Sequence, residues 1–152
     1  MIKLSPMLDW RKAVEDIGKE HVSAVHIVSV NNECKELLVE VKGWKGEEVK
    51  AMKVVCANLL SDGSEERFEF DAQKSNAPLR LSTSSPFHFL YEPNASVMKA
   101  GCFDLLAERY GVMPLHQNSH LFVSEEMVHD FPGRGFVIEQ MTSMNCWKRP
   151  NG

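Results

Sequence analysis

Few side chains in this sequence could do chemistry, and their spacing restricts what each could do. His116 and His120 lie four residues apart in His116-Gln117-Asn118-Ser119-His120. On a helix that spacing places two imidazoles on one face, where they could hold a metal. The run follows Pro114 and leads into an apolar segment, so polar loop histidines are expected and no metal site. Cys34 lies between Glu33 and Lys35. A nucleophilic thiolate needs a base or cationic surroundings; no histidine pairs with Cys34 in the sequence, and the residue is expected at a hairpin loop entering a strand. Asp130-Phe131-Pro132-Gly133-Arg134 reads as a turn that presents Arg134, whose guanidinium can grip a phosphate with two parallel hydrogen bonds. Tyr91-Glu92-Pro93-Asn94 joins a strand to a helix start. Free N–H groups there, with Lys99 a turn further on, could attract an anion against the charge of Glu92, and helix capping by Asn94 is the competing account.

Other chemistry is excluded by pattern. The nine glycines are scattered, no strand precedes and no helix follows Gly133-Arg134-Gly135, and there is no G-x-S-x-G. No nucleotide or cofactor loop is expected in this chain, and no catalytic residue. Seventeen Lys and Arg face 21 Asp and Glu, a net charge of -4. Splitting after Leu81 gives 12 basic and 14 acidic residues before and 5 and 7 after, so neither half is basic. Phosphate neutralisation supplies most of the affinity of a dedicated nucleic-acid binder; tight unaided RNA or DNA binding is not expected, and a local patch is left open. None of the four cysteines forms a C-x-x-C pair, and Cys56 and Cys102 sit in apolar segments. Buried free thiols in a reducing compartment follow. No run reaches the roughly 18–20 apolar residues of a membrane span, and the N-terminus lacks a signal-peptide pattern. A cytoplasmic protein without a membrane partner is expected.

The elements that must position these residues follow from local signals. Ile2 to Leu4 reads as a short strand ended by Ser5-Pro6. Asp9 caps a helix with Trp10, Val14 and Ile17 on one face, stopped by Gly18. Val25–Val30 and Leu37–Val41 read as a hairpin around Asn31-Asn32-Glu33. Glu47 to Ala51 suggests one helical turn. Met52–Leu60 and Arg67–Asp71 read as a second hairpin at Asp62-Gly63, with Phe68 and Phe70 on one buried face. Residues 75–86, rich in Ser, Asn, Thr and Pro, mark a boundary. Beyond it come a strand with Phe87, Phe89 and Tyr91 on one face, then the longest helix. That helix opens at Pro93 and Asn94, carries Met98, Cys102, Leu105 and Leu106 as its apolar stripe, and closes at Gly111. Strands at Leu121–Val123 and Phe136–Ile138 follow, with a type II turn at Pro132-Gly133 between them. Short hairpin-like connections argue an α+β fold with largely antiparallel sheets and helices on one face.

Four strings are long and specific: Asn31-Asn32-Glu33-Cys34-Lys35-Glu36-Leu37-Leu38, Tyr91 through Gly101, Leu115 through Leu121, and Asp130 through Arg134. With them the chain resembles, over nearly its whole length, the C-terminal region of a family of bacterial class I SAM-dependent methyltransferases typical of Bacteroidetes. In that family a Rossmann-type domain is followed by a ferredoxin-like and then a THUMP-like module. The resemblance implies that residues 1–8 end the catalytic domain. It makes 9–80 the ferredoxin-like module, 86–145 the THUMP-like module and 146–152 a tail. It implies that S-adenosylmethionine binds the catalytic domain and not this chain, and that the partners are RNA and the chain's own N-terminal methyltransferase domain. RNA contact is then expected at Tyr91, Asn94, Lys99, His116, His120 and Arg134. The competing readings are a non-enzymatic protein-interaction or regulatory module, and a small stand-alone enzyme using Cys34 or the histidines.

Overall fold

Asparagine tolerates the left-handed backbone that a tight hairpin needs. Asn31 and Asn32 both take it, at φ 47° and 64°, and join β2 (Val22–Val30) to β3 (Glu33–Val41). Val30 pairs directly with Glu33, so the turn has two residues, and the expected loop residue Glu33 already belongs to the strand. The computed structural model describes residues 1–42, 49, 51–73 and 86–141. The helical turn expected at 47–51 and the boundary at 75–86 lie wholly or mostly outside these residues.

β1 (Ile2–Leu4) pairs antiparallel with β3. The second hairpin is β4 (Lys53–Leu59) and β5 (Glu65–Asp71), turned at Gly63 with φ 85°. β4 lies parallel to β2, which completes a five-stranded sheet of order β1-β3-β2-β4-β5. The β2–β4 pair is the parallel exception in a fold otherwise paired antiparallel. Helix α1 (Trp10–Ile17) is capped by Asp9, whose carboxylate accepts from Arg11 N at 2.9 Å, and ends at Gly18. It buries Trp10 and Val14, as its spacing predicts.

The second sheet has the order β7-β8-β6-β9, built from β6 (Phe89–Pro93), β7 (Met113–Pro114), β8 (Phe122–Ser124) and β9 (Gly133–Val137). Two expectations change here. Pro93 is the last residue of β6 rather than the first of a helix. The single long helix is two, α2 (Ala95–Ala100) and α3 (Phe103–Tyr110), broken where Gly101 adopts φ 66° and closes α2 by donating to Val97 O. Met98 accordingly points outward at 36% exposure, and Leu106 rather than Leu105 is the fully buried leucine. β8 and β9 flank β6 on opposite sides.

α2 follows a strand of the second sheet yet packs on β2, β3 and β4 of the first. The two spans therefore share one core, which includes Trp10, Ile27, Phe68, Val97, Leu106 and Phe122. Arg11 reinforces the crossing by donating from Nη2 to Ala100 O at 2.8 Å, at the carbonyl end of α2, where a cation is favoured. A row of rings continues it: Phe68 of β5 meets Tyr110 of α3, which meets Phe131 edge-on at 5.4 Å, which meets Tyr91 at 4.9 Å. Such tilted pairs each stabilise by about 0.5–1.5 kcal/mol beyond their burial. No helix among the described residues is long and apolar enough to cross a membrane.

A polar cleft between the two sheets as candidate functional site

Asn58 is a polar residue that follows the apolar run Val54 to Ala57 of β4, and it is 2% exposed. A buried amide must find partners or cost stability. Its Oδ1 accepts from Ser29 Oγ and from Asn32 N, both at 2.9 Å, and its Nδ2 donates to Glu66 Oε2 at 2.9 Å. The same Glu66 oxygen accepts from Asn94 Nδ2 at 2.9 Å. Asn94, also 2% exposed, turns its Oδ1 to Ser96 N, Ser96 Oγ and Val97 N. Asn32 Oδ1 then reaches across to Ala95 N at 2.7 Å. This relay ties the β2–β3 turn, β4 and β5 to the junction of β6 with α2.

A cleft of about 270 Å³ opens over the relay, bordered by Asn31, Asn32, Glu66, Glu92, Gly133 and Arg134, with Leu60 as an apolar wall. On one lip Arg134 of β9 faces Glu92 of β6 in register, and the two are ion-paired at 2.6 Å. The pair is well exposed and so contributes little to stability. Gly133 is required where it is. Its φ is 154°, and a Cβ there would sit 2.1 Å from Glu92 O. Asn94 N donates to Pro132 O and holds the same corner.

The structure distributes the six expected contact residues unevenly. Asn94 and Arg134 meet in the cleft. Tyr91 is 3% exposed and its hydroxyl accepts from Val128 N at 2.8 Å, so it serves the core and offers no face for stacking. Lys99 is half-buried and lies close enough to Cys34 to oppose in part the rise that burial gives that thiol's pKa. His116 is exposed and its Nδ1 accepts from Asn118 N. His120 stacks on Phe103 at 4.3 Å. At the start of α2, where the sequence set a weak anion site against capping by Asn94, the structure shows the cap. Ala95 N, Ser96 N and Val97 N bind the two asparagine oxygens, and Met98 N binds Asn94 O. No donor is left there for a phosphate, and Glu66 and Glu92 repel one.

Neither Cys34 nor Cys56 is set up as a nucleophile. Burial raises the Cys34 thiol, with Lys99 opposing. The neighbouring Cys102 sulfur and then burial raise that of Cys56, which keeps it protonated. Sequence reasoning missed Asn58 and Glu66. The available signal was an asparagine ending the run Val54-Val55-Cys56-Ala57, where a buried polar residue demands a partner.

Residues 89–132 match a family of ferredoxin-like domains. That segment runs from β6 through β8, inside the span 86–145 for which the resemblance implied a THUMP-like module; the resemblance placed the ferredoxin-like module at 9–80. Among solved structures, the chain is similar to a "putative methyltransferase" from Porphyromonas gingivalis W83, at 35% identity and a TM-score of 0.75. The similarity covers 91% of this chain and 34% of that one. The chain thus spans about a third of the length of that protein. No curated protein matches the chain. The mixed α+β architecture with few helices and two largely antiparallel sheets agrees with the sequence reading.

Proposed function

We propose that this chain is the substrate-recognition part of a cytoplasmic SAM-dependent methyltransferase that acts on RNA, the methyl transfer being carried out by a catalytic domain outside these 152 residues. The observation that carries the reading is the 35% identity, over nearly all of this chain, to one third of the Porphyromonas gingivalis protein. The sequence supports it, since no glycine-rich turn follows a strand to approach a dinucleotide-like cofactor. The asparagine-rich cleft, which joins the two sheets, is the surface offered to substrate.

The test has two parts. Calorimetry of this chain with S-adenosylmethionine is expected to show no micromolar binding. Transfer of a labelled methyl group to total RNA by the longer natural protein is expected, and is expected to fail when this region is deleted although cofactor binding persists. Methylation that survives the deletion would remove the recognition role.

A second reading, a protein-interaction module, is favoured by the net charge of -4 and by β9. That strand pairs only with β6 among the described residues and leaves Phe136 and Val137 46% and 66% exposed. An open strand edge with apolar side chains is a template for another chain. Capture of a protein partner that a Val137→Lys change abolishes, with no RNA bound, would decide for it.

A further inference from the structure

We propose that the cleft between the sheets reads the base of an unpaired guanosine, and that recognition here works through the base edge rather than the phosphate backbone. The inference rests on the RNA reading above. Inside the cleft the relay uses Glu66 Oε2 and both atoms of the buried asparagine amides. The second oxygens of Glu66 and Glu92, the side-chain amide of Asn31 and the Nδ2 of Asn32 make no hydrogen bond within the described residues, although all four residues border the cavity. Arg134 keeps further N–H donors beyond the one it gives Glu92. The uncommitted groups are therefore carboxylate acceptors together with amide or guanidinium donors, and Glu92 and Arg134 place one of each side by side on the same lip.

Carboxylates accept only. Among the four bases, guanine alone presents two adjacent donors on one edge, N1–H and the N2 amino group, which one carboxylate can take together. Adenine would set its N1 lone pair against the same oxygens. Cytosine offers one amino donor beside an acceptor, and uracil one N–H between two carbonyls. Next to N1–H on guanine, O6 and then N7 accept, and an arginine fork or an amide meets them. The exposed Glu92–Arg134 pair holds both functions in register on neighbouring strands, and opening it costs little. About 270 Å³ admits a bicyclic base, with Leu60 against part of its apolar surface. Phosphates stay outside, because the N–H groups of α2 are spent. This is how a chain of net charge -4 can select RNA while gaining little from its backbone, and single-stranded RNA is the form whose base edges are free.

The test titrates the 15N-labelled 152-residue chain with four single-stranded hexaribonucleotides, one all uridine and three carrying a single central G, A or C. The G hexamer is expected to bind about tenfold more tightly than the others, the discrimination of one two-bond base contact. It should shift the side-chain amide signals of Asn31 and Asn32, with a shallow dependence on salt. Glu92→Gln should abolish the preference. Asn31→Gly, which keeps the left-handed turn, should weaken G binding and leave the melting temperature near the parent. Equal affinity for all four hexamers, with shifts elsewhere, would overturn the guanine cleft while leaving the RNA reading intact. Absence of binding to every hexamer would overturn both. An arginine-rich peptide that shifts the same amides, where no hexamer does, would reassign the cleft to a basic protein segment and overturn the proposal.

Discussion

Asn94 Nδ2 donates to Glu66 Oε2 at 2.9 Å, so an amide that begins α2 is anchored to a carboxylate 28 residues earlier in the other sheet. The same side chain caps its helix and ties the two sheets together. Replacing it tests both roles at once.

Asn94→Ala removes the cap and leaves the buried end of Glu66 short of one donor. A loss of about 2–4 kcal/mol in urea unfolding is expected from the cap and the lost partner together. Asn94→Asp keeps the capping oxygen and sets a second carboxylate against Glu66. The like charge would raise the new group's folded pKa above its unfolded value of about 3.9. An acid with a raised folded pKa stabilises below the unfolded value and loses that stability as pH climbs through the folded one. The deficit relative to the parent should therefore be smaller at pH 4 than at pH 7. A deficit independent of pH would show that the Glu66 contact is not made.

Leu106→Ala should cost about 2–5 kcal/mol, because the side chain is fully buried and leaves a cavity. Leu105 is half-buried on α3, and Leu105→Ala should cost distinctly less. Melting temperatures of the two variants measured side by side would reverse the assignment if Leu105 proved the more damaging site.

Gly133→Ala should destabilise by at least about 3 kcal/mol, from backbone strain and overpacking combined, since its Cβ would meet Glu92 O at 2.1 Å. Gly63→Ala is the control. Its φ is 85° but nothing lies within 4 Å, so only the left-handed backbone penalty of about 1–2 kcal/mol applies. Equal losses in thermal unfolding would mean that β9 does not approach β6 as described.

Iodoacetamide at about pH 8 should label Cys56 far more slowly than a free thiol, because both burial and a raised pKa suppress the thiolate. Cys34 should be slowed less, being half-exposed with Lys99 opposing the rise. In denaturant the two rates should converge. Peptide mapping by mass spectrometry reads the order directly, and rapid native labelling of Cys56 would contradict its place in the core.

The parts of this fold that the sequence made legible are governed by neighbours in the chain. Asn31-Asn32 and Asp62-Gly63 supply left-handed turn residues, Asp9 and Asn94 supply caps, and alternation at Phe68 and Phe70 marks a buried strand face. Each depends on interactions within a few residues. Gly101 shows the limit of such signals. A glycine inside a helical pattern is compatible with continuation at a cost of about 1 kcal/mol, and here the packing of Val97 and Ala100 on the first sheet and of Leu106 in the shared core favours a break. The expected long helix became two for that reason.

The candidate site was legible only in pieces. Asn94 and Arg134 were recognisable as residues at a cap and a turn, while Tyr91, which opens the string that holds Asn94, went to the core because β6 is the central neighbour of β8 and β9. Which groups face one another across the cleft depends on contacts between residues 31, 58, 66, 94 and 134. No local propensity encodes these pairings. What the sequence by itself determined was a set of hairpins, caps and apolar faces, since backbone preferences and hydrophobic periodicity act within a short window. What tertiary structure decided was that α2 leaves its own sheet to cover the other one. Burying Val97 and Ala100 there is what brings Asn94 to Glu66 and closes the cleft.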